Sequence, residues 1–104
     1  MKKLIKITFP IDENELLLEL QQLSEEDCSI VKSSKLSGTE AILILTAIIQ
    51  LTDSTVKLVT EILSKHKKKN DNNDNHNKVN ITIQNNNFYL NEISESELID
   101  KLND

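Results

Sequence analysis

A chain of 104 residues is the size of one domain with a modest core. Its net charge of −5 argues against a general nucleic-acid binder, which needs a basic footprint. A single cysteine excludes an internal disulfide or a Cys-rich zinc site and suits a reducing cytoplasm, and a single glycine excludes the Gly-rich loops that cradle phosphates.

The chain opens Met-Lys-Lys, but the apolar stretch that follows is too short and too interrupted for a secretory signal. In residues 4–9, Ile5, Ile7 and Phe9 alternate with Lys6 and Thr8, which predicts a strand with one buried face. Pro10 ends it. Asp12 and Glu15 have the spacing of a capping box, and Leu16, Leu17, Leu20 and Leu23 form the buried stripe of a helix over residues 13–23. Ile30-Val31 predicts a short strand at the sheet edge, and Ser37-Gly38 breaks the pattern.

Residues 39–68 carry helical period and predict one long helix. Leu45, Ile49, Thr52, Val56, Val59 and Leu63 form one stripe, and Ile44, Ile48, Leu51, Leu58 and Ile62 the next. Such a helix is about 42 Å long, against a radius of gyration of about 13 Å for a compact domain of this size. It must therefore bend, break or project, and Thr52-Asp53-Ser54-Thr55, all poor helix formers, are its weak point. Residues 41–51 are apolar on more sides than one sheet covers. Ile42, Ile44, Leu45, Ile48, Ile49 and Leu51 are accordingly the candidate partner-binding residues, for a protein partner or for a second copy in a homo-oligomer. A membrane span is excluded, because about eleven apolar residues fall short of roughly twenty, and Asp53 and Lys57 follow at once.

Residues 67–78 are a low-complexity Lys/Asn/Asp tract and predict a flexible loop. Beyond it, Val79, Ile81 and Ile83 alternate with polar residues and lead into a hairpin. A two-residue turn at Asn85-Asn86 sets Ile83 opposite Phe88 and Ile81 opposite Leu90. Ser94-Glu95-Ser96-Glu97 starts a last short helix with Leu98, Ile99 and Leu102 on one face. The order β-α-β-α-β-β-α predicts one α+β domain over residues 1–104, with helices packed on a four-stranded, mixed sheet.

Side chains capable of chemistry are few. Cys28, His66 and His76 are nucleophile and base types, but the two histidines flank the low-complexity tract and are expected at the surface, so no catalytic residue is assigned. Asp71, Asp74 and His76 lack the Gly and closing Glu of a calcium loop, so no metal and no cofactor is assigned. Lys65, Lys67, Lys68 and Lys69 suit a helix C-terminus, where cations meet the dipole and the last carbonyls.

This layout resembles the effector-associated constant components of bacterial conflict systems, which act in anti-phage defence and self-recognition. The resemblance spans nearly the whole chain. It rests on the strand Leu4-Ile5-Lys6-Ile7-Thr8, the helix Glu15-Leu16-Leu17-Leu18-Glu19-Leu20, the short strand before Gly38, the long helix closing on Lys65-His66-Lys67-Lys68-Lys69, the hairpin of residues 79–93 and the acidic last helix. Asn85-Asn86 and the Asn-rich tract depart from the Gly-containing hairpin turn usual in that family. The resemblance implies a non-enzymatic cytoplasmic adaptor that ties a sensor to a protease, nuclease or regulator. The acidic stretches, residues 12–26 and 92–104, offer a second expectation: an immunity or antitoxin protein that neutralises a cognate toxin.

Overall fold

The computed structural model describes residues 3–11, 13–37, 40–70 and 79–103. The fold is α+β. Five strands form one antiparallel sheet: β1 (Lys3–Pro10), β2 (Cys28–Ser37), β3 (Glu40–Leu51), β4 (Asn80–Ile83) and β5 (Asn86–Tyr89). They lie in the order β2-β3-β1-β4-β5. Three helices, α1 (Asn14–Leu20), α2 (Thr55–Asn70) and α3 (Glu95–Asn103), share one core with one face of that sheet. The four-stranded, mixed sheet expected from the sequence is corrected to five strands, every pair antiparallel.

The extra strand comes from the expected long helix. Residues 39–68 are not one helix: residues 40–51 are β3, the chain turns at Asp53-Ser54, and α2 begins at Thr55. In β3, Leu45, Ala47, Ile49 and Leu51 are buried, whereas Ile44, Thr46 and Ile48 are half-buried and Gln50 is exposed. That is period two. A short Ile-rich block fits a helix and a strand almost equally on apolar count, and its β-branched side chains favour the pleated surface. β3 lies between β1 and β2, so both of its edges are paired, while Ile44 and Ile48 remain on the face away from the core.

The supposed weak point is the device that separates strand from helix. The Thr55 amide donates to Thr52 Oγ1 at 3.3 Å, and the Thr52 amide donates to Thr55 Oγ1 at 2.7 Å. This is a reciprocal capping box with threonine in the place usually held by Glu. The hydroxyl of Thr55, itself buried, also donates to the Gln50 carbonyl at 2.9 Å, which ties the helix start to the end of β3.

The other helix ends follow their sequences unevenly. In α3 the Glu97 amide donates to Ser94 Oγ at 3.2 Å, the expected cap. α1 is shorter than the expected 13–23, and its N-cap residue Glu13 makes no side-chain cap bond. The expected cap, Asp12, lies outside the described residues. α2 continues to Asn70, so residues 67–70 of the expected flexible loop are helical, and residues 71–78 lie outside the described ones.

The hairpin holds the expected faces in a register two residues tighter. Ile83 pairs with Asn86 and Ile81 with Phe88, and the Leu90 amide donates to the Val79 carbonyl. The turn is therefore Gln84-Asn85, both at positive φ (50° and 70°). A shift of two conserves the side-chain face, so the apolar alternation could not distinguish the registers. Burial of Val79 and Leu90 together favours the tighter one. Gln84 has no easy access to the left-handed region, and two-residue hairpins of this kind prefer Asn-Gly. Gln84→Asn with Asn85→Gly is expected to stabilise the domain by about 1 kcal/mol, read as a higher urea midpoint at unchanged m-value. A lower midpoint would place the turn elsewhere.

The core is continuous: Ile5, Ile7 and Phe9 of β1, the odd-numbered residues 45–51 of β3, Ile81 and Ile83 of β4, and Leu16, Leu20, Val59, Leu63, Leu98 and Leu102 from the helices. Lys101 lies 5.6 Å above the Phe88 ring, and Lys3 Nζ donates to the Lys101 carbonyl at 3.0 Å, closing α3 onto β5 and β1.

Candidate functional site

With the helices on one face of the sheet, no described element covers the other. Pairing registers give its rows. Ser29, Ile48, Lys6 and Thr82 lie side by side across four strands, and Val31, Thr46, Thr8 and Asn80 form the next row. Ser33, Ile44 and Pro10 follow, and Leu4 stands beside Gln50 at the other end. Leu4 and Val31 are each 49% exposed, and Ile44 and Ile48 are half-buried only by their neighbours. Thr8 and Thr46 share a hydroxyl–hydroxyl bond of 3.3 Å. In these rows Lys6 is the one charged residue. Beside it lies a shallow hollow of about 340 Å³, lined by Lys3, Leu4, Lys6, Thr82, Gln84 and Asn85. Lys6 and Pro10 aside, the side chains placed in these rows are aliphatic, hydroxyl or amide.

The six residues expected to bind a partner are divided by the strand. Leu45, Ile49 and Leu51 are core residues at 0%, 0% and 4% exposure. Ile44 and Ile48 lie on the open face. Ile42 pairs with Lys35 in the ladder, and its side chain lies outside the description. Leu4 and Val31 were missed. The alternation of Leu45, Ala47, Ile49 and Leu51 with Thr46 and Gln50 was the available signal, masked by Ile44 and Ile48 at the polar positions.

A second concavity, also about 340 Å³, separates α1 from α2 and is lined by Glu19, Gln22, Leu23, Leu58, Glu61, Ile62 and Lys65. Lys65 spans it to Glu19 at 2.9 Å. The hydrogen bond and charge of Glu19 raise the Lys65 pKa above its ordinary value. The lysine is exposed, so the pair contributes little to stability. Lys67 Nζ donates to the Leu90 carbonyl at 3.3 Å, so this lysine ties α2 to the segment before α3.

The expectation of two surface imidazoles is corrected for His66, which is only 6% exposed. Its Nε2 lies 3.2 Å from Glu13 Oε2, so it joins the end of α2 to the start of α1. His76, Asp71 and Asp74 lie outside the described residues. Cys28 is half-buried, and burial first and Asp27 second push its pKa above the ordinary 9.0. Such a thiol stays protonated at neutral pH and is the opposite of an activated nucleophile. Alkylation of the native protein by iodoacetamide at pH 8 is expected to be slower than that of the unfolded chain, and Asp27→Asn is expected to speed it. Because folding holds the proton more tightly, the thiol's contribution is fully present below pH 9 and is lost as pH rises towards the folded value. A native thiol that reacts as fast as the unfolded one would contradict this environment.

Among the described residues, no three His, Cys, Asp or Glu side chains gather as a metal site would require. No helix in them is long and apolar enough to cross a membrane. No protein-family model and no curated protein matches the chain.

Proposed function

We propose that this chain is a non-catalytic adaptor of a bacterial conflict system, working in the cytoplasm and docking a protein partner or a second copy through the open face of its sheet. The observation that carries the reading is that face, where Leu4, Val31, Ile44 and Ile48 lie in contiguous rows with Lys6 as the only charge among the described side chains of those rows. Antiparallel sheets that meet water on one side normally present polar residues there, and contiguous exposed apolar area marks interaction surfaces. A Cys28 enzyme is disfavoured, since the thiol is held protonated and His66 is engaged with Glu13. The anti-phage role itself rests on the family resemblance.

The test is complementation of a deletion strain under phage challenge. Wild-type chain is expected to restore protection, and Ile48→Asp is expected to restore little while remaining folded. Full protection by folded Ile48→Asp would remove the open face as the docking surface. No change in phage sensitivity on deletion would remove the defence role.

Exposed acidic groups at Glu25, Glu26, Glu97 and Asp100 favour a second reading, an immunity protein that neutralises a basic toxin. That reading expects tight binding of a neighbouring toxin that weakens steeply with salt. Salt-insensitive binding would count against it.

A further inference from the structure

The open face is not the only unpartnered surface. β2 ends the sheet on one side, and no described element pairs with its outer edge. Its ten residues pair with β3 in one unbroken register, from Cys28 opposite Ile49 to Ser37 opposite Glu40. The opposite edge, β5, has only four residues and runs straight into a 3-10 turn at Leu90–Glu92. Long, regular edges invite another strand, and proteins blunt them with Pro, a bulge, shortening or charged side chains, Lys above all. β2 has no Pro, bulge or shortening, and its lysines guard it against a like-charged strand while leaving it open to an acidic one.

The backbone bonds identify the free groups. The Gln50 amide donates to the Asp27 carbonyl at 2.8 Å, so with period two Ser29, Val31 and Ser33 turn their peptide groups towards β3. Ile30, Lys32, Ser34 and Leu36 turn theirs outward. Cys28 obeys the same parity, since its amide points away from β3 to the Ser24 carbonyl at 2.9 Å.

Charge selects the occupant. Lys32 and Lys35 are the only charged residues in β2, in a chain whose net charge is −5. Two copies of β2 laid edge to edge would bring lysines together, which disfavours self-pairing. An added strand carrying carboxylates completes both the ladder and the charge. We propose that β2 is a docking edge that takes an extended, acidic segment of a partner protein as a sixth strand. Backbone bonds from Ile30, Lys32, Ser34 and Leu36 would hold it, with the exposed Lys32 and the positive net charge of the strand selecting its charge. The proposal rests on the reading of the chain as an interaction module, and adds a second surface and a partner chemistry to it.

The probe is an N-acetylated, C-amidated peptide, Thr-Glu-Thr-Val-Glu-Thr-Val, whose carboxylates are three positions apart as Lys32 and Lys35 are. Its counterpart has Lys for both Glu. Titrated into labelled protein at low salt, the acidic peptide is expected to shift the amide signals of Ile30 and Lys32 saturably, with a Kd on the order of 1 mM, and the basic peptide to bind at least about tenfold more weakly. Lys32→Pro removes an outward amide without touching the β3 ladder. It is expected to abolish these shifts with the fold intact, while Lys32→Gln weakens binding and keeps the edge. Should Lys32→Pro unfold, the acidic peptide N-methylated at alternate residues replaces it and is expected not to bind. Equal binding of the two peptides, absence of shifts, or shifts centred on Ile44 and Ile48 would overturn the proposal and leave the adaptor reading standing. So would self-association that Lys32→Pro abolishes, since a second copy would then own the edge.

Discussion

Ile49→Asp is expected to abolish folding, and Ile48→Asp to leave a cooperatively folded domain. The two side chains are neighbours in sequence and identical in chemistry, but β3 sends them to opposite faces. Ile49 is fully buried between Ile5 of β1 and Cys28 of β2. A carboxylate there loses its hydration with no described cation beside it, at a cost of at least 4–5 kcal/mol, roughly the whole stability of a small domain. Ile48 is half-exposed in the row with Lys6, its direct neighbour on β1. A carboxylate there keeps water and gains a cation, so the cost is about 1 kcal/mol. Far-UV circular dichroism and urea titration read the difference. Equal damage from both substitutions would mean that residues 44–51 have helical period after all, because a helix places Ile48 and Ile49 on adjacent buried stripes.

That comparison also marks where the sequence was legible. The strand Lys3–Pro10 was plain because one face is apolar and the other carries Lys6 and Thr8. The last helix was plain because Ser94 caps it and Leu98 and Leu102 are one turn apart. Each has water on one side, so the pattern states the period. β3 also has one open face, but Ile44 and Ile48 stand on it beside Thr46 and Gln50, so aliphatic residues on both faces hide its period of two. The hairpin register failed for a related reason: a slip of two leaves every face unchanged, and only the meeting of Val79 with Leu90 decides it. Of the candidate site, Ile44 and Ile48 were found, but for helical reasons. Leu4 and Val31 became visible only when β1, β3 and β2 lay side by side, with Leu4 across from Gln50 and Val31 across from Thr46. His66 was misjudged because its partner, Glu13, belongs to a distant helix.

The boundary between β3 and α2 yields the second large effect. Thr55→Val, which conserves shape and removes only the hydroxyl, is expected to cost about 2–3 kcal/mol. In the native chain that hydroxyl accepts from the Thr52 amide at 2.7 Å and donates to the Gln50 carbonyl at 2.9 Å. Valine satisfies neither, and Thr55 is only 4% exposed, so water cannot easily replace it. An unmet buried donor or acceptor costs about 1–3 kcal/mol. Thr55→Ser retains both bonds and should cost under about 1 kcal/mol, which separates hydrogen bonding from packing. Thr52→Ala removes the reciprocal half of the box and is expected to fall between the two. The order Ser, Ala, Val in urea midpoints is the signature of a polar lock at the point where an Ile-rich strand must stop before a helix begins. If Thr55→Val proves as stable as wild type, the lock is ornamental. The break at Thr52-Asp53-Ser54 would then have to arise from poor helix propensity alone.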